Sequence, residues 1–201
     1  MTIKERVVVF PDIHFPNHDE KAFKCALNVI KAVKPTAFLL LGDAIDGESV
    51  SHWQWSKKKR PPLEYQLPAI KEEIKQGNKG LDRIDRALDK VGCKKKQFAQ
   101  GNHEKWFDHF VEENPYLEHY GSRRAFKFDK RGYEWHKYGE VFKVFGSKLH
   151  ASTEDTIWEL PMQELTPYNW VVTSSTGIHT TLKNQQLPTS QEATWRIQWD
   201  V

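Results

Sequence analysis

AFLLLGDAID, residues 37–46, is the stretch that decides the fold. Its apolar run, Ala37–Leu41, ends abruptly at a glycine followed by a carboxylate. A short, unbroken apolar run of this kind is typical of a buried strand in a parallel sheet. Ligands of open α/β sheets bind beyond the carboxyl ends of such strands. Because Asp43 lies just past that end and Asp46 follows three residues later, we interpret both carboxylates as part of a metal site.

A strand–helix–strand unit leads into this stretch. Residues 6–10 form an apolar, β-branched run that predicts a strand ending at Pro11-Asp12-Ile13-His14. The 3.6-residue apolar period predicts a helix from residue 19 or 20 to about Lys34, before Pro35. Parallel strands joined by a helix form a right-handed crossover. We therefore expect Asp12 and Asp43 at the same edge of one sheet.

The next elements repeat this pattern more weakly. Residues 64–90 predict a helix that Gly77 and Gly80 interrupt. A weak third strand ends at the sequence Gly101-Asn102-His103-Glu104, and an amphipathic helix follows. The three later strand predictions are Lys96–Gln100, Gly132–His136 and Val141–Phe145, with the last two paired as a hairpin.

The composition indicates one globular domain in a reducing compartment. Charged residues make up 28% and hydrophobic residues 38% of the 201 residues, which suits a soluble protein. The two cysteines show no pairing pattern, and no apolar run approaches the roughly 18 residues of a membrane helix. No signal peptide is evident, so we expect a cytoplasmic protein without membrane contact.

Three predicted strand ends carry groups that bind metals. They hold Asp12 with His14, Asp43 with Asp46, and Asn102 with His103. Each pair alone also fits an ordinary turn or helix cap. Together and in this order, oxygen and imidazole groups point to a divalent ion such as Mn, Fe(II) or Zn. A central carboxylate can bridge two ions about 3.5–4 Å apart, as in two-metal hydrolytic sites.

These motifs resemble those of the calcineurin-like metallophosphoesterases, in a short, phage or bacterial form. The family pattern is D-x-H, G-D-x-x-D, G-N-H-[D/E], His-Gly and G-H-x-H, and the resemblance covers roughly residues 5–150. It implies a layered α/β sandwich (αββα), incomplete here at the C-terminus, and two divalent metal ions. It further implies that Asp12 and His14 ligate the first ion, Asp43 bridges, and Asn102 ligates the second. His103 would donate a proton to the leaving oxygen or stabilise the transition state, and Asp46 would orient His103.

Residues 151–201 depart from this pattern, and we predict an atypical tail rather than an independent domain after a core of residues 1–150. The tail holds only Lys183 and Arg196 of the 30 Lys and Arg residues, but nine threonines against two before it. Neither His-Gly nor G-H-x-H occurs in it; Thr176–Thr181 reads TGIHTT instead. With these ligands absent, we expect a weak second metal site and impaired activity.

A shift of the reading frame is our hypothesis for the tail. Thr176–Thr181 can be encoded as acg ggc ata cac acg ac, which from its third base gives Gly-His-Thr-His-Asp. In the same frame Ala151–Glu159 permits Phe-His-Gly-Gly-His-Tyr-Met-Gly, and Trp195–Val201 permits Ala-Tyr-Ser-Val-Gly-Cys. The alternative is a genuinely divergent tail, such as a small added module. The nucleotide sequence near codons 147–151 distinguishes the two.

The predicted function is metal-dependent hydrolysis of a phosphomonoester or phosphodiester. The substrate could include a nucleotide or nucleic acid, because Lys57–Arg60 lie beside aromatic residues in the sequence. We favour a solvated surface loop as the interpretation of this cluster. The alternative is a non-catalytic nucleic-acid-binding module, using Lys57–Arg60 and Lys94–Lys96, or an inactive scaffold. Metal identity and oligomeric state stay open.

Overall fold

The computed structural model describes residues 6–57, 59–147 and 150–153, apart from the side chains of residues 54 and 55, and the backbone of residues 169–173 and 179–182. The strands in these ranges are β1 (Arg6–Pro11), β2 (Ala37–Leu41), β3 (Lys95–Ala99), β4 (Tyr133–His136), β5 (Phe142–Lys143), β6 (His150–Ala151), β7 (Asn169–Thr173) and β8 (His179–Leu182). The α-helices are α1 (Glu20–Val33), α2 (Leu63–Lys90), α3 (Asn102–Glu113) and α4 (Ser122–Ala125). Short 3-10 turns lie at Glu48–Val50, His52–Trp55, Pro115–Tyr120 and Val144–Gly146.

The main sheet has the strand order β4-β3-β2-β1-β7-β8. Neighbouring strands from β4 to β7 are parallel, and β8 runs antiparallel to β7. One face, with Phe10 and Phe38, packs in a core with the helices, while the other, with Val9 and Leu39, packs against the β5–β6 layer. Burial on both faces explains why these strands are apolar along their whole length. The predicted α/β sandwich is confirmed.

Helix α1 forms where the sequence predicts it because both ends are capped. The Asp19 carboxylate accepts hydrogen bonds from the amides of Lys21 and Ala22 at 2.7 and 2.9 Å. Lys34, with φ of 48°, ends the helix in the left-handed conformation. The crossover from β1 through α1 to β2 therefore brings the ends of two parallel strands to one edge of the sheet.

The interruption predicted in the second helix is wrong. Helix α2 continues through Gly77 and Gly80, which are buried. A Cβ atom at Gly77 would lie 2.8 Å from both Ile45 and Phe126, and one at Gly80 would lie 2.5 Å from the Phe15 ring. The glycines serve tertiary packing, because they let the loops after β1 and β2 approach the helix closely.

The predicted hairpin is also wrong. Strand β4 joins the main sheet parallel to β3, with Phe98 opposite Trp135, and β5 instead pairs antiparallel with β6. The Trp135 ring lies 4.8 Å from Phe98 and 5.2 Å from Phe128. This aromatic packing holds β4 against the helix-facing core, whereas a hairpin would have carried it to the opposite layer.

Most of the predicted tail lies outside the described residues, including Thr176–Ile178 of the altered motif. Its described strands β7 and β8 extend the main sheet, with Arg6–Val9 in register with Asn169–Val172. The boundary at residue 150 and the frame shift stay predictions. None of the described helices combines the length and apolar character that crossing a membrane requires.

Candidate metal centre

The loops after β1 and β2 continue the pairing of their strands. The amides of Asp12, His14 and Phe15 donate hydrogen bonds to the carbonyls of Gly42, Asp43 and Ala44 at 3.1, 2.9 and 2.8 Å. The Asp46 amide closes the arrangement with a bond to the Phe15 carbonyl at 2.9 Å. The first two predicted motifs are therefore held side by side, just beyond the carboxyl edge of the sheet.

Three of the predicted metal ligands have left-handed backbone conformations. The φ angles are 56° at Asp12, 58° at His14 and 45° at Asp43. Each such residue costs on the order of 1–2 kcal/mol because its Cβ crowds the backbone. Strain of this kind concentrates at functional sites, where the surroundings enforce it. Here the hydrogen bonds between the two loops enforce it.

A glycine lets the third motif approach the second closely, and a buried carboxylate holds the two motifs together. A Cβ atom at Gly101 would lie 2.1 Å from Oδ1 of Asp43, so only glycine fits. The Glu104 carboxylate, which is 0% exposed, accepts hydrogen bonds from the amides of Asp43, Ile45 and Gly101 at 3.1, 2.9 and 2.9 Å. Burial, with the nearby charge of Asp43, raises the pKa of Glu104 to about 8.

These contacts bring together a set of metal-binding atoms. His14, Asp43 and His103 each offer one ligand atom, and the three atoms lie within 4.8 Å of one another. Burial raises the pKa of Asp43, although the His103 amide donates to its Oδ1 at 3.1 Å. Imidazole and carboxylate groups at this spacing fit a divalent transition metal.

His14 lies between two carboxylates. Its Nε2 is 2.7 Å from Asp12 and its Nδ1 is 3.0 Å from Asp46. Burial alone lowers the pKa of His14, but the hydrogen bonds to Asp12 and Asp46 and the charges of Asp12 and Asp43 raise it overall, to about 9. Carboxylates on both sides of the ring thus favour positive charge at His14. The cluster attracts positive charge at that point, which supports the fit of a cation.

Asp46 contacts both His103 and His14, through different groups. The Asp46 backbone carbonyl, not its carboxylate, accepts from Nδ1 of His103. The carboxylate instead binds His14 and, at 2.6 Å, the side-chain amide of Asn17. Since a carbonyl only accepts, Nδ1 of His103 carries a proton and Nε2 is the nitrogen left for chemistry.

Asn102 is the first residue of α3, next to His103, and is exposed. On another side of the cluster, Thr153 lies after β6, where the resemblance leads one to expect a His-Gly motif. Its hydroxyl donates to the Gln100 carbonyl at 2.5 Å, and its Cγ2 would lie 3.1 Å from a Cβ at Gly42. A hydroxyl and a methyl group thus reach this edge, in place of an imidazole.

Sequence reasoning missed Asn17 and the function of Glu104. Glu104 has a signal in the sequence. A glutamate three residues after the N-cap, the residue just before a helix, often accepts a hydrogen bond from the N-cap amide. Glu104 makes this bond to Gly101. Asn17 lies in a loop with no recurrent spacing, so only the folded structure reveals its contact with Asp46.

Comparison with known protein families identifies the family of this chain. The profile of the calcineurin-like phosphoesterase family matches residues 5–196. The chain belongs to the calcineurin-like phosphoesterase family. Neither the curated proteins nor the solved structures contain a match. Family membership confirms the resemblance drawn from the three motifs, and identifies a metal-dependent phosphoesterase in general terms.

Proposed function

We propose that the strand-end cluster hydrolyses a phosphomonoester or phosphodiester with two divalent metal ions. In this proposal Asp12 and His14 hold one ion, Asn102 holds the other, and Asp43 bridges them. The observation that carries the proposal is the convergence of His14, Asp43 and His103 within 4.8 Å, in a chain of this family. When bound, the ions supply the positive charge that polarises the phosphoryl group and activates water.

The chain's own residues orient the substrate and move the proton. His103 is fixed through Nδ1 by the Asp46 carbonyl, which leaves its Nε2 to act on the reacting group. As the oxygen of water bonds to phosphorus and the ester P–O bond breaks, protonated Nε2 donates its proton to the leaving oxygen. Asp46 and Asn17 keep His14 in place through the 3.0 and 2.6 Å contacts.

The same proposal includes an impaired second site. The described segment after β6 offers Thr153 to the cluster, and the sequence lacks both the His-Gly and the G-H-x-H motifs. We therefore expect slow hydrolysis by this chain. A chain whose nucleotide sequence is corrected to restore both motifs would be faster.

The test is hydrolysis of p-nitrophenyl phosphate and bis-p-nitrophenyl phosphate with Mn²⁺. We compare this chain, its Asp43→Asn variant and the frame-corrected chain. The expected order of rates is corrected chain, this chain, variant. The variant should fall at least about 100-fold below the corrected chain, because it lacks both the ligand shared by the two ions and the two restored motifs. No hydrolysis by the corrected chain would refute the proposal and favour an inactive scaffold.

A further inference from the structure

A series of aromatic rings leads from the strand-end cluster, here called the metal cluster (His14, Asp43 and His103), to the protein surface. The His103 ring centre lies 4.4 Å from His14 on one side and 4.1 Å from Trp106 on the other. His52 lies 6.1 Å from Trp106 and 4.7 Å from Trp53, whose ring is tilted 35° to it. Trp53 is 66% exposed. We call Trp106, His52 and Trp53 the aromatic series.

Acidic side chains lie near the aromatic series, but each has a partner. A groove between the 3-10 turns of residues 48–55 and helix α3 is lined by His52 and Trp106 and also by Glu112 and Glu113. Glu113 accepts from the Arg60 guanidinium at 2.5 Å, and Glu112 lies 3.0 Å from Nδ1 of His109. These contacts reduce the repulsion that an approaching anion would meet.

Two lysines of the same loop are exposed to solvent. Lys57 and Lys59 are exposed, and within the part of the chain that the structure describes neither has an ion-pair partner. They follow Trp53 by four and six residues. Exposed aromatic rings beside unpaired cations form the combination that binds a base and a phosphate at once. A solvated loop needs no ring series that reaches a metal cluster, so the structure favours a binding surface over that interpretation.

We infer that the aromatic series is a nucleobase subsite, and that the substrate is therefore a nucleoside phosphoester. A base stacks on Trp53, Lys57 and Lys59 attract the backbone phosphates, and the scissile phosphate reaches Asp43 beyond Trp106. A free nucleotide and a single-stranded nucleic acid share this chemistry. The inference rests on the proposed function, because the subsite is defined relative to a phosphoester at the metal cluster.

The test measures the fluorescence anisotropy of a fluorescein-labelled thymidylate octamer bound to the full chain with Mn²⁺. We expect Trp53→Ala to weaken binding about tenfold, the size of one lost stacking contact. Tyr116→Ala is the matched control, since Tyr116 is an aromatic residue, 97% exposed, that lies outside the series. It should bind as the unaltered chain does. Equal affinity of the Trp53→Ala and unaltered chains would overturn the inference.

Two further measurements distinguish a free nucleotide from a single strand, and the nucleobase subsite from the proposed hydrolysis. An octamer of the same charge but without bases should bind the unaltered chain about as weakly as the thymidylate octamer binds the Trp53→Ala chain. Equal binding of the two octamers to the unaltered chain would overturn base recognition. Displacement by thymidine monophosphate supports a free nucleotide, and its failure to displace supports a strand. Hydrolysis of p-nitrophenyl phosphate and of bis-p-nitrophenyl phosphate by the frame-corrected chain is followed separately. Absence of both reactions, with Trp53-dependent octamer binding intact, would refute the proposed hydrolysis and not the nucleobase subsite.

Discussion

Two clusters of charged side chains lie at opposite ends of the same sheet and differ in how their charges are balanced. At the amino ends of β3 and β4, Asp85 accepts from Lys96 at 3.0 Å and from Arg131 at 2.6 Å. Arg131 also pairs with Asp82 at 2.7 Å. We call these four residues the ion-pair cluster; it holds two cations and two carboxylates.

At the carboxyl ends the balance is different. Within the described ranges, the contacts of Asp43, Asp46 and Glu104 are to backbone amides, imidazoles and one side-chain amide, and none is to lysine or arginine. Buried carboxylates without such partners are costly. The ion-pair cluster thus balances its charges within the protein. At the carboxyl ends, the divalent ions of the proposed function would supply positive charge to the carboxylates.

The largest effects are expected when one carboxylate is removed from each cluster. Asp85→Asn should lower the free energy of unfolding by about 3 kcal/mol, since it leaves Lys96 and Arg131 without their shared partner. Asp43→Asn should leave the metal-free protein as stable as before or more stable, because it relieves repulsion and keeps an oxygen for the His103 amide. Urea unfolding in the presence of a chelator measures both.

Asp89→Asn, at an exposed position of the same helix as Asp85, is the control and should change stability little. The comparison fails if Asp43→Asn destabilises the metal-free protein as much as Asp85→Asn does.

A smaller effect is expected from closing the space between the second and third motifs. Gly101→Ala places a Cβ 2.1 Å from Oδ1 and 2.4 Å from the amide nitrogen of Asp43. We expect a loss of about 2 kcal/mol in stability, as for other overpacked sites, together with weaker Mn²⁺ binding because Asp43 must move. Thermal unfolding and calorimetric titration of Mn²⁺ measure the two effects.

Gly121→Ala is the matched substitution, since its Cβ would lie 3.3 Å from the nearest atom and outside the metal cluster. Mn²⁺ binding that is unchanged in Gly101→Ala would show that the close approach of Gly101 to Asp43 has no bearing on the metal.

The smallest effect concerns the reactivity of a thiol near the ion-pair cluster. Burial raises the pKa of Cys93 to about 11, even though the charge of Lys96 lowers it. Since only the thiolate reacts, alkylation by iodoacetamide at pH 8 should be at least about tenfold slower at Cys93 than at exposed Cys25. Peptide mass spectrometry over time measures both rates.

Denatured protein should label at both cysteines and serves as the control. Fast labelling of Cys93 in the folded chain would mean that the amino end of the sheet is open, contrary to a closed ion-pair cluster.

Much of the metal site could be predicted because its information is local. The run Ala37–Leu41 is apolar and ends in Gly42-Asp43, and β2 has those bounds in the structure. Asp12 and His14 likewise follow a short apolar run, and the structure pairs the last residues of the two strands, Pro11 and Leu41. The left-handed conformations at Asp12, His14 and Asp43 could not be predicted, because they depend on hydrogen bonds between two loops that are distant in sequence.

The errors have the same origin. Local propensity treats Gly77 and Gly80 as helix breakers, but the loops that pack on α2 require their small size. Alternation in residues 132–145 suggests a hairpin, but the aromatic contacts of Trp135 with Phe98 and Phe128 place β4 beside β3. In both cases a partner far along the chain outweighs the local preference.

The amino-acid sequence alone indicates the first three strands and the helices between them, the three motifs and the family, because these depend on residue types at short spacing. Only the tertiary structure decided that Asp46 holds His14 with its carboxylate and His103 with its carbonyl. It alone connected Trp53 with His103 through a series of rings. The two contacts of Asp46 join residues that are 32 and 57 positions apart, and folding, not local spacing, sets the distances between them.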